Sequence, residues 1–221
     1  MRIKAVLFDI DGTLVDSNEQ HIAAWDVVFR DEGHHVDRQA IHDQIGKGAD
    51  NLVPALLPGT DPADHERLGA AHGRVFKSRF LSAIAPFAGA PALLERVHAT
   101  GRKVVLASSA SATEVEHYVD LLDAGALVAA TTSSDDVATT KPAPDIFAMA
   151  LSKISPLAAG EVLVVGDSPY DIEAAAACGI DGIALRSGGF DDDRLAGAGA
   201  IALYDDVAAL LAEFDRSPLN R

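Results

Sequence analysis

Short runs of apolar, largely β-branched residues recur along this chain, with stretches of helical periodicity between them. The runs at 4–8, 103–107, 127–131, 162–165, 182–185 and 200–203 predict strands. The segments 90–99, 112–122, 144–153, 170–178 and 206–214 predict helices. A strand with one wet face alternates apolar and polar positions, whereas these runs are nearly continuous, as strands covered on both faces are. Strand–helix alternation of this kind predicts an α/β fold in which helices flank a parallel sheet.

One connection breaks the rhythm. A βαβ unit takes roughly 30 residues or a little more, yet the first strand ends near Phe8 and the next begins near Lys103. The surplus reads as helical: His21, Ala24, Trp25, Val28 and Phe29 fall on one helix face, and 50–57 and 64–80 read as further helices around a Pro/Gly-rich break at 58–62. The expected organisation is a core of residues 1–16 and 86–221 with a helical domain of residues 17–85 inserted after the first strand. The hinges would lie at 15–17 and 84–88. Trp25 reads as core, 76–79 as a solvated helix face, Cys178 as a small apolar packing group and 214–221 as a polar tail.

Composition narrows the partners. With 48% hydrophobic residues among 221, a sizeable core is expected. A net charge of −15 and a pI near 4.7 repel nucleic acid and anionic membrane surfaces, so neither is an expected partner. One cysteine excludes a disulfide framework within the chain and fits a reducing compartment. The first apolar run is too short for a signal peptide, and none reaches the roughly 18 residues of a membrane span, so a cytoplasmic protein is expected. Nothing in the sequence distinguishes a monomer from a dimer.

The candidate chemistry sits directly after the predicted strands, where open parallel sheets bind ligands. Asp9 and Asp11, two apart at the end of the first strand, place two carboxylates together at a cost that a divalent cation and a phosphoryl group would relieve. Gly12 permits a sharp turn, and Thr13 offers a hydroxyl and an N–H to an anion. Ser108 and Ser109 follow the second strand as either anion ligands or ordinary helix caps. Lys141, before Pro142, is either a phosphate-neutralising charge or a solvated lysine. Asp167 follows Gly166 where an oxygen ligand for Mg²⁺ would stand, and Asp171 lies one helical turn on; an acidic helix start is the plainer reading.

In this order, Asp-x-Asp-Gly-Thr, Ser108, Lys141-Pro142 and Gly166-Asp167 with Asp171 resemble the motifs of the haloacid dehalogenase superfamily, in particular its phosphoglycolate-phosphatase-like and β-phosphoglucomutase-like groups. The resemblance spans essentially the whole chain. It implies a Rossmann-like three-layer core with a small all-helical cap inserted after the first strand. Asp9 would be a nucleophile forming an aspartyl-phosphate, and Asp11 a general acid and then base. Mg²⁺ would be held by Asp9, Asp11 through its backbone carbonyl, and Asp167, with Asp171 orienting them. Gly12, Thr13, Ser108, Ser109 and Lys141 would bind the phosphoryl group. The carboxylate of Asp11 favours phosphate esters over carbon–halogen or phosphonate substrates. His21 and Lys47, in the helical segment, are candidate substrate residues. Lys47, within Gly46-Lys47-Gly48, also reads as part of an exposed loop, and His21 as an interface residue.

The implied function is a Mg²⁺-dependent phosphatase acting on a small phosphorylated metabolite, a sugar phosphate or phosphoglycolate-like compound. A phosphosugar mutase, which His21 favours, and a non-catalytic phosphate-ligand or protein-binding domain are the alternatives.

Overall fold

The computed structural model describes residues 2–221. Six parallel strands form one sheet in the order β3-β2-β1-β4-β5-β6: β1 (Ala5–Phe8), β2 (Lys103–Ala107), β3 (Val128–Thr132), β4 (Val162–Gly166), β5 (Asp181–Leu185) and β6 (Ala202–Tyr204). Between β1 and β2 run α1 (Asn18–Asp31), α2 (Arg38–His42), α3 (Ala49–Leu56), α4 (Pro62–Arg79) and α5 (Ala90–Ala99). The later helices are α6 (Ala112–Leu121), α7 (Asp145–Lys153), α8 (Pro169–Ala177), α9 (Asp192–Gly197) and α10 (Val207–Ala212). No helix among the described residues is long and apolar enough to cross a membrane.

Side-chain alternation along the strands builds two cores. Val6 and Phe8, Val104 and Leu106, and Leu163 and Val165 face α5, α6 and α10. Ala5 and Leu7, Val105 and Ala107, and Val162 and Val164 face α7 and α8. Because both faces are covered, the strands read as uninterrupted apolar runs. The register sets Phe8 beside Leu106 on one side and Val165 on the other. The residues just beyond these three strand ends therefore converge.

Helices α1–α4 enclose a separate apolar cluster that includes Ile22, Trp25, Phe29, Ile41, Leu52 and Leu68. Pro62 opens α4, and the Asp61 side chain accepts the Asp64 N–H at 2.9 Å, which caps it. The two segments that join α1–α4 to the rest of the chain run side by side: Asp16 N donates to Ala85 O at 3.0 Å and Phe87 N to Leu14 O at 2.9 Å.

Three expectations change. Phe76 is fully buried rather than part of a solvated face, because it lies under the His21 ring with centroids 3.8 Å apart. The tail is not a loose polar end: Phe214, Pro218 and Leu219 are buried, and Ile3 N donates to Arg221 O at 3.0 Å. Helices α2 and α9 carry no periodic signal, since each buries a single side chain, Ile41 or Leu195. Trp25 is buried in the cluster as expected, and Cys178 is half-buried against the α7–α8 core.

Candidate active site

Asp9 leaves β1 with its N–H donated to Val165 O at 2.9 Å, which fixes it between the ends of β2 and β4. Lys141, from the loop between β3 and α7, is 1% exposed and forms ion pairs with Asp9 Oδ1 and, at 2.7 Å, with Asp171 Oδ1. The solvated-lysine reading is thereby corrected. Asp171 is itself held as the third residue of α8, where its Oδ2 accepts the N–H and hydroxyl of Ser168 at 3.1 and 2.6 Å. The carboxyl that caps α8 thus also anchors the lysine that reaches the nucleophile candidate.

Asp167 lies beside this pair. It accepts the Thr13 hydroxyl at 3.1 Å and the Asn18 amide at 2.8 Å. Carboxylate oxygens of Asp9, Asp167 and Asp171 lie within 4.8 Å of one another. Burial pushes the Asp167 carboxyl up to about 7, with Asp171 adding to the effect. Burial also raises Asp9 well above the usual carboxylate range despite the opposing charge of Lys141. Three buried carboxylates face one ammonium, so the cluster lacks positive charge. Its donors are all oxygens, and the Asn18 Oδ1 beside it is buried without a hydrogen-bond partner. A hard divalent cation such as Mg²⁺ fits this donor set.

Asp11 is treated asymmetrically. Its Oδ1 faces three donors: Ser17 Oγ at 2.7 Å, Tyr118 Oη at 2.9 Å and His21 Nε2 at 3.0 Å. Among the described residues its Oδ2 has only Ser108 Oγ within hydrogen-bonding range, at 3.4 Å. Burial pushes the Asp11 carboxyl up, but His21 together with hydrogen bonds from Ser17 and Tyr118 outweighs burial and holds it down at about 2. Burial, with the Asp11 charge adding to it, raises the Tyr118 phenol, so it stays a donor. Ser17 stands at the N-cap of α1 and makes no side-chain cap bond there; its hydroxyl goes to Asp11 instead.

Gly12 and Thr13 are placed differently from the phosphate contacts expected of them. Gly12 has φ +76°, its N–H donates to Val15 O at 2.9 Å, and a side chain there would collide with Asp167 and Asn18. The Thr13 N–H donates to Ile10 O at 3.2 Å, and its hydroxyl is spent on Asp167. These two residues build the carboxylate cradle. Along the same turn, the N–H groups of Ile10 and Asp11 have no backbone acceptor among the described residues.

A cavity of about 940 Å³ opens between the sheet ends and helices α1–α4. Asp9, Asp11, Ser108 and Ser109 line its floor, and His21, Lys47 and His72 line the helical side. The Ser109 hydroxyl reaches Gly46 O at 3.4 Å. Lys47 is partly buried, bonded to Gln44 Oε1 at 2.7 Å and set 4.4 Å from the Tyr170 ring centroid. The helical segment is latched to the floor: Thr140, next to Lys141, donates through its N–H to Asp50 Oδ2 at 2.9 Å and receives the Gly48 N–H at 2.9 Å. Tyr118, Asn18, Asp50 and His72 carry no signal as site residues in the sequence, because each reaches the site from a helix or its start, outside the strand-end motifs.

A family model described as haloacid dehalogenase-like hydrolase matches residues 3–179. The chain is 30% identical to a phosphoglycolate phosphatase of Rhodospirillum rubrum, over 94% of this chain and 89% of that protein. It is 28% identical to an N-acetylmuramic acid 6-phosphate phosphatase of Pseudomonas aeruginosa, over 98% and 97%. Among solved structures, a hydrolase from Pseudomonas syringae superposes with a TM-score of 0.88 at 32% identity, over 96% of this chain and 98% of that one.

Proposed function

The chain belongs to the haloacid dehalogenase-like hydrolases, and from that premise we propose that it is a metal-dependent phosphatase of a small phosphorylated metabolite, working through an aspartyl-phosphate. The observation that carries this reading is the pairing of Asp9, gripped by Lys141, with an Asp11 whose three donors all crowd one oxygen.

Asp9 is positioned to attack phosphorus. As its carboxylate oxygen bonds to phosphorus, the ester oxygen leaves with the bonding pair and takes a proton from Asp11 Oδ2. A water then attacks the aspartyl-phosphate and gives its proton back to Asp11. The Asp9–phosphorus bond breaks and inorganic phosphate departs. In the free site Asp11 is held as an anion; the negative charge of an arriving phosphoryl group raises its proton affinity, and it takes up a proton from water, or from a singly protonated phosphate ester, before it serves as the acid. Lys141, Ser108 and the free N–H groups of Ile10 and Asp11 are the donors available for phosphoryl oxygens. The Asp9 and Asp167 carboxylates and the Asp11 carbonyl would hold Mg²⁺, which supplies positive charge where two anions must meet. Helices α1–α4 serve as the cap that encloses the substrate, with His21 and Lys47 on its inner side. The single cysteine, Cys178, supports a reducing, cytoplasmic location.

Phosphate release from p-nitrophenyl phosphate tests the reading. Turnover is expected with Mg²⁺, is lost on chelation, and falls by more than about a thousandfold in Asp9→Asn. Undiminished turnover in Asp9→Asn overturns it. With a hexose 1-phosphate as substrate, free phosphate rather than an isomeric phosphosugar is the expected product.

A further inference from the structure

We propose that His72, on α4, is a positioning residue: through one hydrogen bond it holds the His21 ring in the orientation that keeps an N–H on Asp11. The inference rests on the phosphatase reading above. The two imidazoles meet edge to edge, with His21 Nδ1 3.3 Å from His72 Nε2, while the opposite nitrogen of His21 reaches Asp11 Oδ1 at 3.0 Å. Both rings are clamped by stacking. His21 lies on Phe76 with centroids 3.8 Å apart, and His72 lies on Trp25 at 4.3 Å.

Stacking fixes the planes of these rings, yet it cannot tell a ring from the same ring flipped about its Cβ–Cγ bond. A flip would exchange nitrogen for carbon at both edges and take the N–H away from Asp11. Polar contacts at the two edges distinguish the orientations: Asp11 Oδ1 at one, and His72 Nε2 at the other, where it holds the ring independently of the carboxylate it serves. A carboxylate accepts only, so His21 Nε2 carries a hydrogen. The hydrogen between the two histidines resides on either His72 Nε2 or His21 Nδ1, and both placements leave the Asp11 contact intact. Burial holds His72 well below its ordinary range, so it takes no charge of its own there. His21 lies on α1 and His72 on α4, so the pair is built wholly within the helical segment and meets Asp11 from one side. No proton leaves either ring in this arrangement.

The consequence is selective. In the first step Asp11 matters most when the leaving group needs a proton, so loss of its orientation slows phosphoryl transfer from alkyl esters and spares transfer from an aryl ester whose nitrophenolate departs unprotonated; hydrolysis of the aspartyl-phosphate is common to both. In His72→Leu, the single-turnover rate of phosphoryl transfer from 2-phosphoglycolate is expected to fall about tenfold, a small part of the roughly 10²–10⁴ that acid–base catalysis supplies. The single-turnover rate of nitrophenolate release from p-nitrophenyl phosphate, and the KM for 2-phosphoglycolate, should stay within about twofold. His72→Gln, which keeps both a donor and an acceptor, should recover most of the loss. Ring ¹⁵N NMR should show a slowly exchanging His21 Nε2–H in the wild type and in His72→Gln, and its loss in His72→Leu. Equal losses on both esters in the single-turnover phosphoryl-transfer step, a rise in KM alone, or an unchanged His21 Nε2–H in His72→Leu overturns the proposal. Should the wild type hydrolyse neither ester, the phosphatase reading fails, and the NMR comparison decides the role of His72 by itself. His72→Phe, which preserves the stack on Trp25, replaces His72→Leu if that variant does not fold.

Discussion

At the scale of single residues, the site is governed by how few cations face its carboxylates. Asp167 illustrates the linkage. Its ordinary value is 3.8 and burial with Asp171 lifts it to about 7, so between those values the folded chain binds a proton that the unfolded chain has released. Stability of the metal-free protein therefore falls as pH rises from about 4 to about 7, then levels off. Thermal melts in chelator should show that decline, with Mg²⁺ or Asp167→Asn flattening it; a melting temperature that rises across the window would contradict the assignment. Tyr118 offers a kinetic test. Tyr118→Phe removes one of three donors from Asp11 Oδ1 and should lower kcat roughly tenfold, equivalent to about 1.4 kcal/mol, with little change in KM.

At the scale of elements, the strand tips do the positioning, and they are legible because doubly covered strands write themselves as apolar runs. Asp9, Asp11, Ser108, Lys141 and Asp167 all stand out in the sequence by their place in the loops that leave the strands. The illegible part comes from helices. Tyr118 looks like any buried aromatic on α6, and Asn18 like any helix start. Their roles exist only because α6 and α1 are packed beside the β1 turn, a relation that no local periodicity encodes. The bonds that Gly12 and Thr13 make within their own loop and to Asp167 are illegible for a related reason. Turn composition signals a tight loop but not which N–H groups the loop spends on itself. At φ +76°, Gly12→Ala would strain the backbone and drive a methyl into Asp167 and Asn18. It should cost about 1–3 kcal/mol in denaturant melts and leave activity barely detectable.

At the scale of the whole molecule, the helical segment meets the strand-bearing part through directed polar contacts at several points, among them His42 to Gly188 O, Tyr170 to Asp43 O and Thr140 to Asp50. Asp50 carries the most consequential one, because its partner Thr140 adjoins Lys141. Asp50→Ala should loosen this seam without unfolding either side. We expect kcat/KM to drop about tenfold, of the order of one or two hydrogen bonds, and limited trypsin digestion to quicken. A variant with wild-type kinetics would show that the seam does not shape catalysis.

The paired backbone segments that lead into α1 and return from α4 have an evolutionary corollary. Because Leu14 and Asp16 lie a single hydrogen bond from Phe87 and Ala85, the helical excursion departs and returns through one narrow doorway, and the closure entropy the scaffold bears changes little with the length of what hangs there. A graft made at that doorway, carrying the corresponding stretch of a relative, should leave the sheet folded and transfer substrate preference with the cassette.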